Sequence, residues 1–414
     1  MDNQPRRISV KIEKPIFGGE FLARLPEQKP VFVPFVLPGE TAEIQITQEK
    51  KGYARGLLTN LMERSAKRVE PPCKYFTICG GCQYQHMQYS DQLLCKQQVV
   101  LEQFLRVPGF IEDKLQNIVP SNDELHYRNN IQFSVDKNGK LGFQAFGSNH
   151  IIPVDECWLP NKQILQSWKM LDLEQFPGLK RIHIRAGLQD EIMVLLESDN
   201  FQDLPSLELD VPVSVVHLSD VGKIVMAGDD HLIYQVKDQF FHVSAESFFQ
   251  VNTSVAEKMI DLVCKYLPNN GKTLLELYCG VGLFTRFLAA SFESIYAVEE
   301  SPSACDDFAI NLDAFDHINL YVGTVKEIVP QLEIHPDTIL LDPPRAGVDP
   351  ITLEAILALQ PERIVYVSCD VSTLSRDLKK MIAGGYELVE ITPFDMFPQT
   401  YHVECVVLME KEIL

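Results

Sequence analysis

The sequence predicts an α/β protein in three parts: a small OB-like N-terminal β-barrel, a central α+β domain, and a C-terminal doubly wound, Rossmann-like sheet. Three observations carry that expectation. Short apolar runs broken by Gly and Pro turns fill the first segment, and segments of alternating hydrophobicity run over 129–236. From about residue 242, apolar strands alternate with helical stretches, the signature of a mostly parallel sheet. The expected boundaries are 1–65, 66–240 and 241–414, in a chain of 414 residues long enough for two or three cores.

In the first part the expected strands are 8–12, 20–24, 31–35, 42–47 and 53–61. Phe17-Gly18-Gly19, Pro26-Glu27 and Leu37-Pro38-Gly39-Glu40 turn the chain between them. Five short strands of this kind suit a barrel that binds oligonucleotides, and equally a purely structural barrel. Charge does not decide between them. The chain carries −20 overall, while residues 1–72 hold 12 Lys+Arg against 9 Asp+Glu, a local +3. That excess is compatible with phosphate contact without requiring it.

After Pro71-Pro72, the run Cys73-x5-Cys79-Gly80-Gly81-Cys82 brings three thiols into one loop whose glycines permit close approach around a metal. Cys157, in Val154-Asp155-Glu156-Cys157-Trp158, is the candidate fourth ligand. Cys95 reads as a helix core residue and His86 as a loop residue. Four thiolates suit zinc or an iron–sulfur cluster, and these residues alone leave both open. Residues 90–105 show helical periodicity through Leu93, Leu94, Gln97, Val100, Leu101 and Phe104, a helix expected to pack on the C-terminal domain.

The C-terminal part concentrates its signals at strand ends, where ligands bind in open α/β sheets. Strand 338–341 ends in Asp342-Pro343-Pro344-Arg345, and strand 364–367 ends in Ser368-Cys369-Asp370. A third strand runs from Leu274 into Tyr278-Cys279-Gly280-Val281-Gly282. Glu299 closes the next strand, 19 residues after Gly280. An acid at about that distance binds ribose hydroxyls in dinucleotide folds. Here the third glycine is missing and the following helix start, 283–290, is apolar, so a nucleoside without phosphates, S-adenosylmethionine, fits better. A thiol beside such a cofactor has a chemical reason. C5 of uracil is a poor nucleophile until a thiolate adds to C6, and a base must later remove the C5 proton. Cys369 is the candidate nucleophile. Glu404, which enters the apolar strand 405–409, is the candidate base.

At these motifs the chain resembles the RNA 5-methyluridine methyltransferase family, which modifies uridines in tRNA or large-subunit rRNA. The matching segments are 278–285, Asp342-Pro343-Pro344-Arg345-Ala346-Gly347, Tyr366-Val367-Ser368-Cys369-Asp370, 395–404, and Ser247-Phe248-Phe249-Gln250-Val251-Asn252. Residues 1–60 resemble the family's TRAM-type barrel, so the likeness covers nearly the whole chain. It implies Gln250, Tyr278, Glu299 and Asp342 as contacts to S-adenosylmethionine, Cys369 as nucleophile and Glu404 as base. It also implies a [4Fe–4S] cluster on Cys73, Cys79, Cys82 and Cys157, in preference to zinc. Two departures stand out: Val371 replaces the family's proline after Cys369-Asp370, and Leu283 replaces a polar residue of the glycine loop. Competing readings are an RNA 5-methylcytosine methyltransferase, using the same addition at C6, and a non-catalytic RNA-binding or chaperone protein with a degenerate methyltransferase domain.

The remaining expectations are broad. Hydrophobic content of 46% and charged content of 23% are those of a soluble globular chain. No apolar run approaches the roughly 20 residues of a membrane span, and the N-terminus lacks the apolar core of a signal peptide. Ten cysteines without that signal point to reduced thiols in the cytoplasm. The expected partner is RNA, no membrane is involved, and the expected state is a monomer.

Overall fold

The computed structural model describes residues 6–171, 178–199 and 213–412; residues 1–5, which open the expected barrel, lie outside them. Strands β1 (Arg7–Pro15), β2 (Glu20–Arg24), β3 (Pro30–Pro34), β4 (Thr41–Glu49) and β5 (Ala54–Glu63) close a barrel in the order β1-β2-β3-β5-β4. Alternation along β1 explains its placement: Val10 and Ile12 point inward while Ser9 and Lys11 face water. The exit from the barrel is fixed by Glu40. Its buried carboxylate accepts from Arg68 Nε and Nη2, both at 2.7 Å, and from Leu37 N at 2.8 Å.

Helix α1 (Tyr89–Phe104) packs between the barrel and the C-terminal sheet. Its buried face differs from the expected stripe. Leu94 is 62% exposed, whereas Gln92 and Lys96 are buried beside Cys95, Val99, Val100 and Phe104. The two polar side chains are turned inward because each has hydrogen-bond partners in a distant loop.

Next come β6 (Asn130–Val135), β7 (Leu141–Gln144), β8 (Ile151–Pro153), α2 (Lys162–Met170), β9 (Leu179–Ala186), β10 (Ile192–Ser198), β11 (Ser214–Ser219) and β12 (Gly222–Ala227). They form a seven-stranded sheet ordered β12-β11-β10-β9-β6-β7-β8, with α2 laying Trp168 on Phe133. The sheet is antiparallel except between β10 and β11. β13 (His231–Val236), expected within this sheet, instead leaves it to pair with β14 (Gln239–Ser244). Its Leu232, Tyr234 and Val236 are buried in the core of the following domain, which explains the departure.

The C-terminal part runs α3 (Thr253–Tyr266), β15 (Gly271–Leu277), α4 (Leu283–Leu288), β16 (Phe292–Glu299), α5 (Pro302–Asn311), β17 (Ile318–Val322), α6 (Val325–Ile328), β18 (Thr338–Leu341), α7 (Pro350–Ala358), β19 (Arg363–Ser368), α8 (Val371–Ala383), β20 (Tyr386–Phe394) and β21 (Glu404–Lys411). Its sheet is ordered β17-β16-β15-β18-β19-β21-β20, with β21 antiparallel to both neighbours and the other pairs parallel. Every residue of β18 is buried, as a central strand covered on both faces requires. The strand order reverses between β15 and β18, so a crevice opens beyond their carboxyl ends. Among the described residues, no helix is long and apolar enough to cross a membrane.

Candidate active site

The antiparallel insertion of β21 sets the chemistry. Ser368, the last residue of β19, pairs with Cys405, so Cys369 leaves one strand beside Glu404 entering the next. Phe394, at the end of β20, pairs with Glu404 from the other side. Asp342 follows β18, whose Leu341 is in register with Tyr366. Three residues far apart in sequence thus share one edge of the sheet.

Burial dominates their electrostatics. The Glu404 carboxyl is pushed up to about 8 by burial, with the Asp342 charge adding to the rise and Arg345 opposing it. Asp342 is pushed up to about 7, again by burial. Cys369 is half-buried, and its thiol rises to about 12 through burial and then the charges of Glu404 and Asp342, with Arg345 opposing. A carboxyl that titrates near neutrality beside a thiol is suited to general acid–base work. Among the described residues, the charge of Arg345 opposes both shifts.

The neighbouring cleft lies over β15 and β16. Tyr278, Gly280 and Gly282 all have positive φ, at 63°, 54° and 86°, which bends the chain sharply after β15. At Gly282 a Cβ would come within 3.0 Å of Phe308 and Leu312, so glycine is required there for space as well as conformation. Glu299 Oε2 accepts from Gly280 N at 2.9 Å, while Oε1 accepts from Glu300 N at 3.0 Å and Ser301 N at 2.9 Å. Tyr278, Glu299, Gly323, Thr324, Lys326 and Asp349 line the cleft. Gln250 sits in the approach to α3, where its carbonyl accepts from Asn129 Nδ2 of the central domain at 2.9 Å.

Cys73, Cys79, Cys82 and Cys157 converge on one separate cavity that Arg128 and Trp158 also line. The four thiols are free, and burial pushes Cys82 up to about 12 and Cys157 up to about 11. No three described Cys, His, Asp or Glu side chains are grouped so as to hold a single metal ion. Gly80 N donates to Gln144 O at 2.9 Å and Phe146 N to Ile78 O at 2.8 Å, docking the cysteine loop on the end of β7. Cys95 is buried on α1 and His86 bonds Val36 O at 3.2 Å; neither lines this cavity.

Residues 196–412 match the tRNA (uracil-5-)-methyltransferase family, over half of the chain, and residues 5–59 match the TRAM domain. The chain belongs to the tRNA (uracil-5-)-methyltransferase family. An uncharacterized RNA methyltransferase of Staphylococcus aureus is 34% identical over 421 residues, covering 92% of each chain. One of Aquifex aeolicus is 32% identical over 437 residues, covering 99% of each. Among solved structures, the Pyrococcus abyssi tRNA (uracil-54, C5)-methyltransferase in complex with S-adenosyl-L-homocysteine has a TM-score of 0.75 at 24% identity, covering 97% of this chain and 99% of that one, a likeness of fold. This protein is therefore an S-adenosylmethionine-dependent RNA methyltransferase of the uracil-C5 family, with a TRAM barrel at its N-terminus.

Its two departures from the family pattern have structural accounts. Val371 is the first residue of α8, the position where proline is favoured because its missing N–H has no helical partner. Asp370 caps the helix in this protein, accepting from Ser372 N at 2.9 Å and Thr373 N at 3.0 Å, so the turn carrying Cys369 keeps its anchor. Leu283 opens α4 and is buried in the main core of the C-terminal domain. Sequence reasoning missed Arg345 as a member of the electrostatic site, although it lies within the quoted Asp342-Pro343-Pro344-Arg345 motif. It also missed Arg128, which lines the cysteine cavity and for which no local sequence signal exists.

Proposed function

We propose that this methyltransferase methylates C5 of a specific uridine in tRNA or rRNA through a covalent adduct between Cys369 and C6. The observation that carries the reading is the placement of a thiol beside a buried carboxyl on adjacent strand ends. S-adenosylmethionine supplies an electrophilic methyl on a positively charged sulfonium. The target uridine must leave its stack to reach the sheet edge. Cys369, once deprotonated, adds its sulfur to C6, and the electrons of the C5–C6 bond move to the O4 enolate. C5 takes the methyl, and the carbon–sulfonium bond breaks to leave S-adenosylhomocysteine. Glu404 then accepts the C5 proton, and the returning electrons expel the Cys369 thiolate. Gln250, Tyr278, Glu299 and Asp342 are the proposed cofactor contacts, with Glu299 facing the ribose.

The four-cysteine cavity is the proposed seat of a [4Fe–4S] cluster. The support is the set of four thiols lining one cavity, a donor set that suits zinc or an iron–sulfur cluster, and the family resemblance favours the cluster. The positive charge of Arg128 beside Cys82 and Cys157 would offset part of the cluster's charge.

RNA carrying 5-fluorouridine tests the mechanism, because fluorine at C5 cannot leave as a proton does. The wild-type protein with S-adenosylmethionine should form a stable protein–RNA adduct on a denaturing gel. With ordinary uridine, Glu404→Gln should transfer methyl and then stall, accumulating a covalent species with turnover lowered about 10²–10⁴-fold. Absence of any adduct with the fluorinated RNA would remove the covalent route.

A further inference from the structure

Loop 395–403, which joins β20 to β21 and ends at Glu404, is held by groups that take no part in the chemistry. Lys96 of α1 pairs with Asp395, both side chains fully sealed from solvent, and Lys96 Nζ also donates to Phe397 O at 3.0 Å. Asn252 Nδ2 donates to Met396 O at 3.2 Å, and Tyr127 OH to Pro398 O at 3.1 Å. Gln399 is the point where these restraints converge. Its N–H donates to Gln92 Oε1 at 2.9 Å, and its Oε1 accepts from Gln92 Nε2 at 2.9 Å. Its carbonyl accepts from Gln83 N and Tyr84 N, both at 3.0 Å, and its Nε2 donates to Glu124 O at 3.1 Å. All of this holds a backbone φ of 70°, a conformation that a non-glycine residue adopts only at a cost.

We propose that α1 and the cysteine loop form a clamp that positions Glu404 by gripping loop 395–403 at Gln399 and Lys96. The proposal rests on the reading of Glu404 as the base. Two considerations point to positioning rather than bulk stability. A buried ion pair gains little over well-packed apolar residues, since desolvating both charges offsets their attraction. Gln92 and Lys96, one helical turn apart, therefore hold inward positions where two leucines would serve packing as well. What the polar pair adds is direction: amide and ammonium groups fix the loop's carbonyls and amides at single distances. The clamp also ties two parts of the molecule together. Gln83 and Tyr84 directly follow Cys82, so the loop that carries three of the four clustered thiols bonds directly to the loop that ends at the base.

Gln399→Gly tests the clamp without adding backbone strain, because glycine accepts the positive φ and only the side-chain bonds are lost. Gln92→Met tests the same contact from the helix side. Each variant is compared with wild type and Glu404→Gln for cofactor affinity, adduct formation on 5-fluorouridine RNA, and turnover on ordinary RNA. We expect cofactor affinity and KM for RNA within about twofold of wild type and undiminished adduct formation. We also expect at least a tenfold fall in kcat, with a methylated protein–RNA species accumulating as it does in Glu404→Gln. Turnover within twofold and no accumulating species overturns the clamp. Loss of cofactor binding or of adduct formation overturns it too, and so does unfolding of both variants, since the contact would then serve the fold alone. If Glu404→Gln itself accumulates nothing, the base reading has failed; if only the clamp variants fail to accumulate, the clamp alone has.

Discussion

Cys369 and Cys82 are both pushed up to about 12 by burial, yet they are set in opposite company. Cys369 stands at a strand end with two carboxyls, Glu404 and Asp342, and one arginine, Arg345. Cys82 shares a cavity with three other thiols and Arg128. The first surrounding offers groups that can take and return a proton, which a nucleophile needs at each turnover. The second offers sulfur donors and a compensating positive charge, which a permanently bound metal group needs. The scaffolds differ in the same sense. The partners of Cys369 come from one continuous sheet, whereas the clustered thiols come from one loop and from Cys157, some 75 residues beyond it. A shared thiol shift therefore says little about role; the neighbours decide it.

The contrast breaks most sharply at the proposed nucleophile, Cys369. Cys369→Ala should lose turnover by on the order of 10⁴-fold or more and form no adduct, measured by methyl incorporation into unmodified RNA. Full activity in that variant would sink the covalent mechanism. At the other site, Cys157→Ser should lose iron as completely as Cys79→Ser, while Cys95→Ser keeps it, measured as iron per chain after anaerobic purification. Stoichiometric zinc in the wild-type protein would overturn the cluster. Glu299→Ala should weaken S-adenosylmethionine binding by roughly 1.5–3 kcal/mol, the worth of a hydrogen bond to a charged group. Calorimetry showing unchanged affinity would take Glu299 out of the cofactor site.

A further expected effect is in pH. Because burial raises Glu404 to about 8, its ionised form grows about tenfold per pH unit below that value and levels above it. Release of methylated RNA in a single turnover should follow the same rise. A flat profile from pH 6 to 9 would mean that another group takes the proton. In stability the raised carboxyl acts with the opposite sense: its contribution is complete below the ordinary carboxyl range and is lost as pH rises through about 8.

The parts of this site that were legible in the sequence are those where polarity changes abruptly at a strand end. Thr338–Leu341 and Arg363–Ser368 are apolar strands followed at once by acid, proline or thiol, and that discontinuity marks both strand and site. Glu404 could be found because it heads the final apolar strand. Gln92 and Lys96 could not. Read by hydropathy alone, α1 turns Leu94 inward, and only the loop some 300 residues later makes a buried lysine affordable. The β13–β14 hairpin was missed for a related reason: alternating apolar residues specify that a strand is half-buried, not which core it joins. Long-range hydrogen bonding has no periodicity to read.

The antiparallel pairing of β19 with β21 constrains how the hairpin can change in length over evolution. Inserting or deleting one residue ahead of β21 would turn Glu404 to the opposite face of the sheet and present Cys405 or Val403 beside Cys369. A change of two residues would restore the face but carry the carboxyl about 7 Å along the strand. Neither leaves the Glu404 carboxyl beside Cys369. Exposed barrel turns such as the one at Pro26-Glu27 are free of that restriction, so length variation among relatives should gather there and be absent from residues 395–403.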